Sequence, residues 1–210
     1  MSKILSRSVI INNYLIITNY KCGFSSLSHI EEALPIKNYK ESKQLKNIIF
    51  IYRDIYLRNI SVFLNWCIRR LNFDSWLNNI LKEKLGKKKF KKFKKLIKKN
   101  NIIKAYKIFL KKLKEFKQKN QHLHSQIIIF DKFRLADRNP IFINLDNKND
   151  VIKMENIIDR KIPIYNESSN NDKEILFKFL KSRRGFWYRK ILDRLYYDDI
   201  ALFKANSLCK

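Results

Sequence analysis

Apolar residues along this chain fall either into short continuous runs or into stripes at helical spacing, and the two patterns predict different elements. Residues 8–18, rich in Ile and Tyr, read as a strand or an extended arm, and residues 19–45 are polar, carry Pro35, and read as loop with a possible short helix. Asn47-Ile48-Ile49-Phe50-Ile51-Tyr52 is a run of buried-strand type. From Asp54, a suitable N-cap, to Leu71 the stripe Leu57, Ile60, Leu64, Cys67/Ile68, Leu71 predicts an amphipathic helix. Further strands are expected at Gln126 to Phe130, at Pro140-Ile141-Phe142-Ile143-Asn144-Leu145-Asp146 and at Ile162-Pro163-Ile164-Tyr165. Helices are expected at about Asp150 to Asp159, Asp172 to Lys181 and Tyr188 to Phe203. No internal repeat is present.

Residues 74–122 have another character. Ile102, Tyr106, Phe109, Leu113 and Phe116 recur at alternating steps of four and three, which is an a/d seam. Leu81, Leu85, Phe90, Phe93 and Ile97 precede it, and Asn100-Asn101 between the two sets supplies a turn. This pattern predicts an antiparallel helical hairpin with a narrow apolar seam. The whole is expected to be an α/β fold: a parallel sheet flanked by helices, Rossmann/flavodoxin-like, with a protruding basic hairpin. The expected organisation is an arm and loop at 1–45, an α/β body at 46–73 and 123–210, and the hairpin at 74–122.

Charge changes the picture from fold to partner. The 210 residues carry 46 Lys and Arg against 19 Asp and Glu, a formal net charge of +27. So strong a self-repulsion calls for a polyanion, nucleic acid or an anionic membrane surface. Between Lys82 and Lys119 there are 18 Lys and only Glu83 and Glu115 as acids, so the hairpin holds +16 of the total. A solvated helix face normally mixes both signs; this one is nearly all positive. Lys outnumbers Arg 34 to 12, which favours sequence-independent phosphate contact over bidentate base reading.

Composition adds a warning. There are 31 Ile, 34 Lys and 22 Asn but only 11 Gly, Ala and Pro together, the bias of an AT-rich genome. Some Lys are therefore expected to reflect drift. The 45% apolar fraction permits a core. Residues 1–30 contain no acid, with Lys3, Arg7 and Lys21 among several Ser, which resembles an organellar transit peptide. The longest uncharged run, Ser8 to Tyr20, is too short to span a bilayer, so no membrane insertion is expected.

The candidate RNA-binding residues follow from these patterns. In the hairpin they are Lys87, Lys88, Lys89, Lys91, Lys92, Lys94, Lys95, Lys98, Lys99, Lys104, Lys107, Lys111 and Lys112. Arg69-Arg70 ends the first helix. Arg183-Arg184-Gly185-Phe186-Trp187-Tyr188-Arg189-Lys190 interleaves four cations with three aromatics, a pattern that suits phosphates and unpaired bases together. Arg183, Arg184, Trp187, Arg189 and Lys190 are its contact candidates; the bland alternative is a helix N-terminus that packs Phe186 and Trp187 onto the domain.

Other chemistries find little. Cys22, Cys67 and Cys209 form no CxxC pair and read as reduced thiols. His122-x-His124 lacks neighbouring ligands, and the adjacent carboxylates of Glu31-Glu32 and Asp198-Asp199 project apart. Three Gly in the whole chain leave no phosphate-cradling loop, and no nucleophile elbow is visible. No catalytic residue, metal, cofactor or small-molecule substrate is expected.

The order of elements resembles the small-subunit ribosomal protein S2 family. The stretch from Tyr39 through the run Asn47 to Tyr52 and on to Leu64 is similar to that family's early strand and helix. The Lys-rich segment looks like its protruding hairpin. Pro140 to Asp146 resembles the strand that follows, Val151-Ile152-Lys153-Met154-Glu155 with Ile162-Pro163-Ile164 the next helix and its Ile-Pro, and Ser169-Asn170-Asn171-Asp172 the start of a late helix. Asn72 to Trp76 stands where the family has glycine-rich motifs, and its Gly-His start survives at best as Cys22-Gly23 and His29, so the resemblance does not carry over the RNA contacts made there.

The resemblance implies a structural protein of a mitochondrial small ribosomal subunit (a plastid-type organelle being the other location), bound to small-subunit ribosomal RNA and neighbouring ribosomal proteins. It would lie between head and body of the subunit and help recruit messenger RNA for initiation. An organellar maturase or nuclease is the alternative from the enzyme class, and would need clustered carboxylates or His. A basic accessory subunit of another mitochondrial complex is the third, and at a membrane would need a wider apolar face than this seam.

Overall fold

A computed structural model describes residues 8–18, 27, 29–30, 33–35, 44–71, 75–119, 121–162 and 170–208. Expectations that rest on residues 1–7, residues 19–26 with Cys22-Gly23, Glu31-Glu32, residues 36–43 with Tyr39, residues 72–74, Pro163 to Tyr165, Ser169 and Cys209 lie outside the described residues. The chain divides into two compact units: a sheet unit of Met1–Asp54, Ser125–Asn166 and Ala201–Lys210, and a helical unit of Ile55–His124 and Glu167–Ile200. Residues 75–119 therefore share a unit with 55–71 and 170–200.

In the sheet unit, β1 (Ser8–Ile11) turns into β2 (Tyr14–Thr18) through Asn12-Asn13, both with positive φ, 47° and 63°. Two left-handed central residues make the tight hairpin whose twist matches its strands, and Asn tolerates that region better than most residues. The Asn12 side-chain amide also donates to the Ile158 carbonyl at 2.6 Å. With β3 (Leu34–Pro35), β4 (Asn47–Tyr52) and β5 (Ile141–Asn144) the order is β3-β1-β2-β4-β5. β2, β4 and β5 are parallel, but β1 is antiparallel to both β2 and β3. The expected all-parallel sheet is thus corrected to a mixed one, because a two-residue turn can join only antiparallel strands.

Register explains why the central strands are apolar at every position. Val9 faces Ile16, Ile16 faces Ile49 and Ile51 faces Ile143, and this side packs on Met154 and Ile158. Those two belong to α7 (Lys148–Ile158), capped by the Asn147 side chain accepting from the Asn149 amide at 3.0 Å. The other side is aromatic: Phe50 meets Phe142 and Phe130 edge-on, and Tyr52 stacks on Phe203 at 4.1 Å between centroids. Phe130 lies on α6 (Ile127–Lys132), where the sequence predicts a strand. The run is too short for its period to discriminate, and Ile128 is exposed while Ile129 and Phe130 are buried, the phase of a short helix.

Beyond the ends of β4 and β5, polar groups satisfy one another. Arg53 pairs with Asp146 at 2.8 Å, Asp146 also accepts from the Asp54 amide, and Gln126 exchanges two 3.0 Å hydrogen bonds with the Arg53 backbone.

In the helical unit, α1 (Ile55–Phe63) runs on as a π-helix, Leu64–Arg69. The wider turn, with the Arg70 amide donating to the Asn65 carbonyl at 3.2 Å, buries both Trp66 and Cys67 and leaves Ile68 half-buried. The single helix expected to Leu71 thus changes phase midway. Residues 74–122, expected as two helices, contain four: α2 (Ser75–Leu85), α3 (Lys87–Lys98), α4 (Ile102–Lys111) and α5 (Leu113–Lys119). Gly86 separates α2 from α3 at φ 75°, a backbone state that glycine adopts without strain. Asn100 ends α3 at φ 52°, with Asn101 donating to the Leu96 carbonyl and Asn100 to that of Ile97, a complete Schellman motif.

The seam is a core. Ile102, Tyr106, Phe109, Leu113 and Phe116 are all buried. Phe109 stacks on Phe116 at 5.3 Å, Phe63 from α1 meets Tyr106 at 4.9 Å, and the Tyr106 hydroxyl donates to Asn59 at 2.9 Å. Beside α4 pack α8 (Asn170–Lys181) and α9 (Phe186–Leu195). The predicted final helix is two, broken at Tyr196 before α10 (Tyr197–Leu208).

A buried polar network crosses this unit. Arg58, 3% exposed, donates to the carbonyls of His122 (3.1 Å) and His124 (2.7 Å). Tyr196 donates to the Leu123 carbonyl, and burial pushes its phenol up to about 12. Lys117 donates to the Leu195 carbonyl and lies over the Tyr196 ring, and burial lowers its pKa despite Asp199 nearby. The His124 imidazole is held below its ordinary 6.5 by burial, then by Lys117 and Arg58. The unfolded chain therefore takes up that proton more readily than the folded one, and folding weakens as pH falls below about 6.5. Urea unfolding midpoints should drop between pH 7.5 and 5.5, and His124→Gln should shrink that drop.

Candidate nucleic-acid interface

Helix α3 reads Lys-Lys-Lys-Phe-Lys-Lys-Phe-Lys-Lys-Leu-Ile-Lys. Phe90, Phe93, Leu96 and Ile97 fall on one stripe, and Phe93 is fully buried. Everything else on the helix is cationic. Lys87, Lys88, Lys89, Lys91, Lys92, Lys95, Lys98 and Lys99 are exposed or partly so; Lys94 is half-buried, its ammonium 5.6 Å from the centre of the Phe90 ring.

This helix forms against its own electrostatics. Five pairs, such as Lys87 with Lys91 and Lys91 with Lys95, repeat at i,i+4 with like sign, each destabilising by about 0.2–0.5 kcal/mol in water. Lys87, Lys88 and Lys89 also crowd the first turn, the positive end of the helix dipole. A polyanion laid along the face turns each of these repulsions into an attraction.

On α4, Lys104 and Lys111 are exposed, while Lys107 and Lys112 are engaged. Lys112 pairs with Glu115 at 2.6 Å. Lys107 lies 5.0 Å from the Phe179 ring centre and 5.7 Å from that of Tyr188, and so joins the Lys-rich helices to the aromatic segment of α9. Two motifs some 80 residues apart in sequence thus meet through one cation. Arg69 and Arg70 are exposed at the end of the π-helix in the same unit.

In the segment 183–190 the three aromatics part company. Tyr188 turns inward onto Phe179, with centroids 5.7 Å apart. Trp187 is 71% exposed and Phe186 is 38% exposed, so the two rings of the packing alternative are left largely uncovered and Tyr188 is the one that packs. Arg183, Arg184 and Lys190 are exposed, and Arg189 is half-buried, reaching the Leu180 carbonyl at 3.4 Å. Gly185 sits hard against α8: a Cβ there would lie 2.1 Å from the Phe179 carbonyl oxygen and 2.8 Å from Leu180 Cα. Phe186, Lys178 and Lys181 are absent from the contact candidates that the sequence suggests, although the acid-free run 176–192 signals them.

The remaining motifs are structural. His122 and His124 accept from Arg58 through their backbone carbonyls. Asp199 is buried and Asp198 exposed, so the adjacent carboxylates do part. Burial raises the Cys67 thiol well above its ordinary range. Among the described residues no three His, Cys, Asp or Glu side chains gather around one point for a metal, and no helix is long and apolar enough to cross a membrane.

Comparison with known proteins finds no matching family model, curated protein or solved structure.

The exposed Lys of α3 and its buried ring should separate cleanly in stability. Lys88, Lys91, Lys92 and Lys95 changed together to Gln should leave stability equal or slightly higher, because like-charge repulsion is relieved. Phe93→Ala should cost about 3–5 kcal/mol. Gly185→Ala should also destabilise, by about 2 kcal/mol or more, since the backbone of α8 must retreat. Denaturant titrations of the parent and the three variants measure all of this.

Proposed function

We propose that this chain is a non-catalytic RNA-binding protein whose Lys-covered helices neutralise phosphate. The carrying observation is residues 84–114, which hold 15 Lys and no acid, with most of the ammonium groups on α3 and α4 exposed. Helices α3 and α4 present the basic face, α4 from a position packed against α8 and α9. Their ammonium groups follow RNA backbones by charge and spacing, without reading bases, and release counterions on contact. More narrowly, it is a small-subunit ribosomal protein of a mitochondrion, of the S2 kind, lying against ribosomal RNA and neighbouring proteins. The support is the order of elements and the AT-rich codon bias: a strand and helix, Lys-rich helices, then Pro140-Ile141-Phe142-Ile143 and a helix ending before Ile162-Pro163. The Rossmann-like body of that family would correspond to the parallel strands β2, β4 and β5.

Two measurements test the reading. The logarithm of RNA affinity should fall steeply with the logarithm of salt. Changing Lys88, Lys91, Lys92 and Lys95 to Gln should reduce that slope by about 3–4, near 0.9 for each phosphate no longer neutralised. An unchanged slope dismisses α3 as the anchor. In gradients of organelle lysate the tagged chain should sediment with the small ribosomal subunit; migration with membranes or another complex overturns the ribosomal assignment.

A further inference from the structure

We infer that Phe186 and Trp187 form a ledge that stacks an unpaired base of single-stranded RNA, a second mode of contact distinct from the phosphate tracking of α3. The inference deepens the RNA-binding reading and rests on it. A side chain as large as Trp187 is 71% exposed, with Phe186 edge-on beside it at 5.6 Å. Two adjacent rings in water offer apolar surface whose covering by a stacked ring is favourable.

What covers it is indicated by charge. Residues 176–192 carry six cations and no acid, so an acidic or anionic partner is favoured around the ledge. The Lys190 ammonium lies 4.7 Å from the Phe186 ring centre and 5.7 Å from that of Trp187, and the Arg189 guanidinium 5.8 Å from Phe186. Planar rings edged by cations match a nucleotide: the base stacks on the ring and its phosphate meets the ammonium. The ledge is also preorganised. Gly185 pins the turn against α8, the Gly185 amide donates to the Ser182 carbonyl at 3.0 Å, and Tyr188 and Lys107 lock the first turn of α9 from beneath. A rigid platform loses little entropy on binding. Two rings are enough for one or two bases but make a small patch for a bilayer, which needs a broad apolar face. Duplex RNA offers no unstacked base, so the ledge should discriminate single strands from helices.

The test uses the full chain with three probes: an eight-nucleotide single-stranded RNA, a perfectly paired RNA duplex, and vesicles containing anionic lipid. Trp187→Ala should weaken single-strand binding about five- to hundredfold, the range for removing one stack, and leave duplex binding within twofold. Trp187→Phe should keep most of the affinity, and the melting temperature of both variants should match the parent because the indole is exposed. Fluorescence quenched by the single strand in the parent should be diminished in Trp187→Phe. Undiminished single-strand affinity in Trp187→Ala overturns the ledge while leaving the α3 reading intact. Equal weakening on both RNAs overturns it too, as does vesicle binding that alone depends on Trp187. Failure of the parent to bind either RNA overturns the underlying RNA-binding reading.

Discussion

The aromatic stack Phe63, Tyr106, Phe109 and Phe116 is the contact on which the helical unit depends. Helices as densely charged as α3 and α4 repel within themselves and each other, and little in their exposed surface favours folding. The favourable term comes from one narrow seam. Burying several large rings contributes a few kcal/mol each relative to exposure, and offsets repulsions that are a few tenths per pair. The Tyr106 to Asn59 hydrogen bond fixes the depth at which the seam engages α1, since that hydroxyl would otherwise be buried without a partner. Only with the seam closed does the Lys face become a surface of fixed geometry.

The seam also decides where the second group of cations lies. Because α4 packs on α8 and α9 as well as on α3, Lys107 ends beside Phe179 and Tyr188, and the Arg-rich turn at 183–185 is presented in the same unit as the Lys helices. The buried network of Arg58, Lys117, Tyr196 and the carbonyls of residues 122–124 ties α1 and α5 to the end of α9. Cations are thus used in two ways. Arg58 and Lys117 are desolvated and hydrogen-bonded, and hold the unit together; most of those on α3 are exposed to solvent.

The sheet unit is ordinary by comparison. Its two faces are filled, and the polar groups beyond β4 and β5 are occupied with each other, Arg53 with Asp146 and Gln126 with the Arg53 backbone. In open α/β sheets the ends of parallel strands commonly receive ligands. Here the described chain closes that position with its own side chains.

How much of this was written in the sequence depends on which residues are asked. Apolar runs within 47–52 and 140–146 announced strands, because a strand buried on both faces needs apolar residues on both, while 8–18 was legible only as a strand or an arm. The steps of four and three from Ile102 to Phe116 announced the seam, and Asn100 its turn, since local geometry alone sets those preferences. The acid-free Lys run was legible as charge. The Asn12-Asn13 turn that makes the sheet mixed is local chemistry that the apolar pattern does not carry. Two things were not local. The run 126–130 became a helix because its neighbours bury Ile129 and Phe130 but not Ile128. The partners of the seam came from α1, α8 and α9, at separations that no periodicity encodes. Sequence by itself determined which residues must be buried and where the charge lies, for those follow from solvation. The tertiary structure alone decided which of the aromatics at 186–188 is covered: Tyr188 has Phe179 beneath it, and Trp187 projects into water.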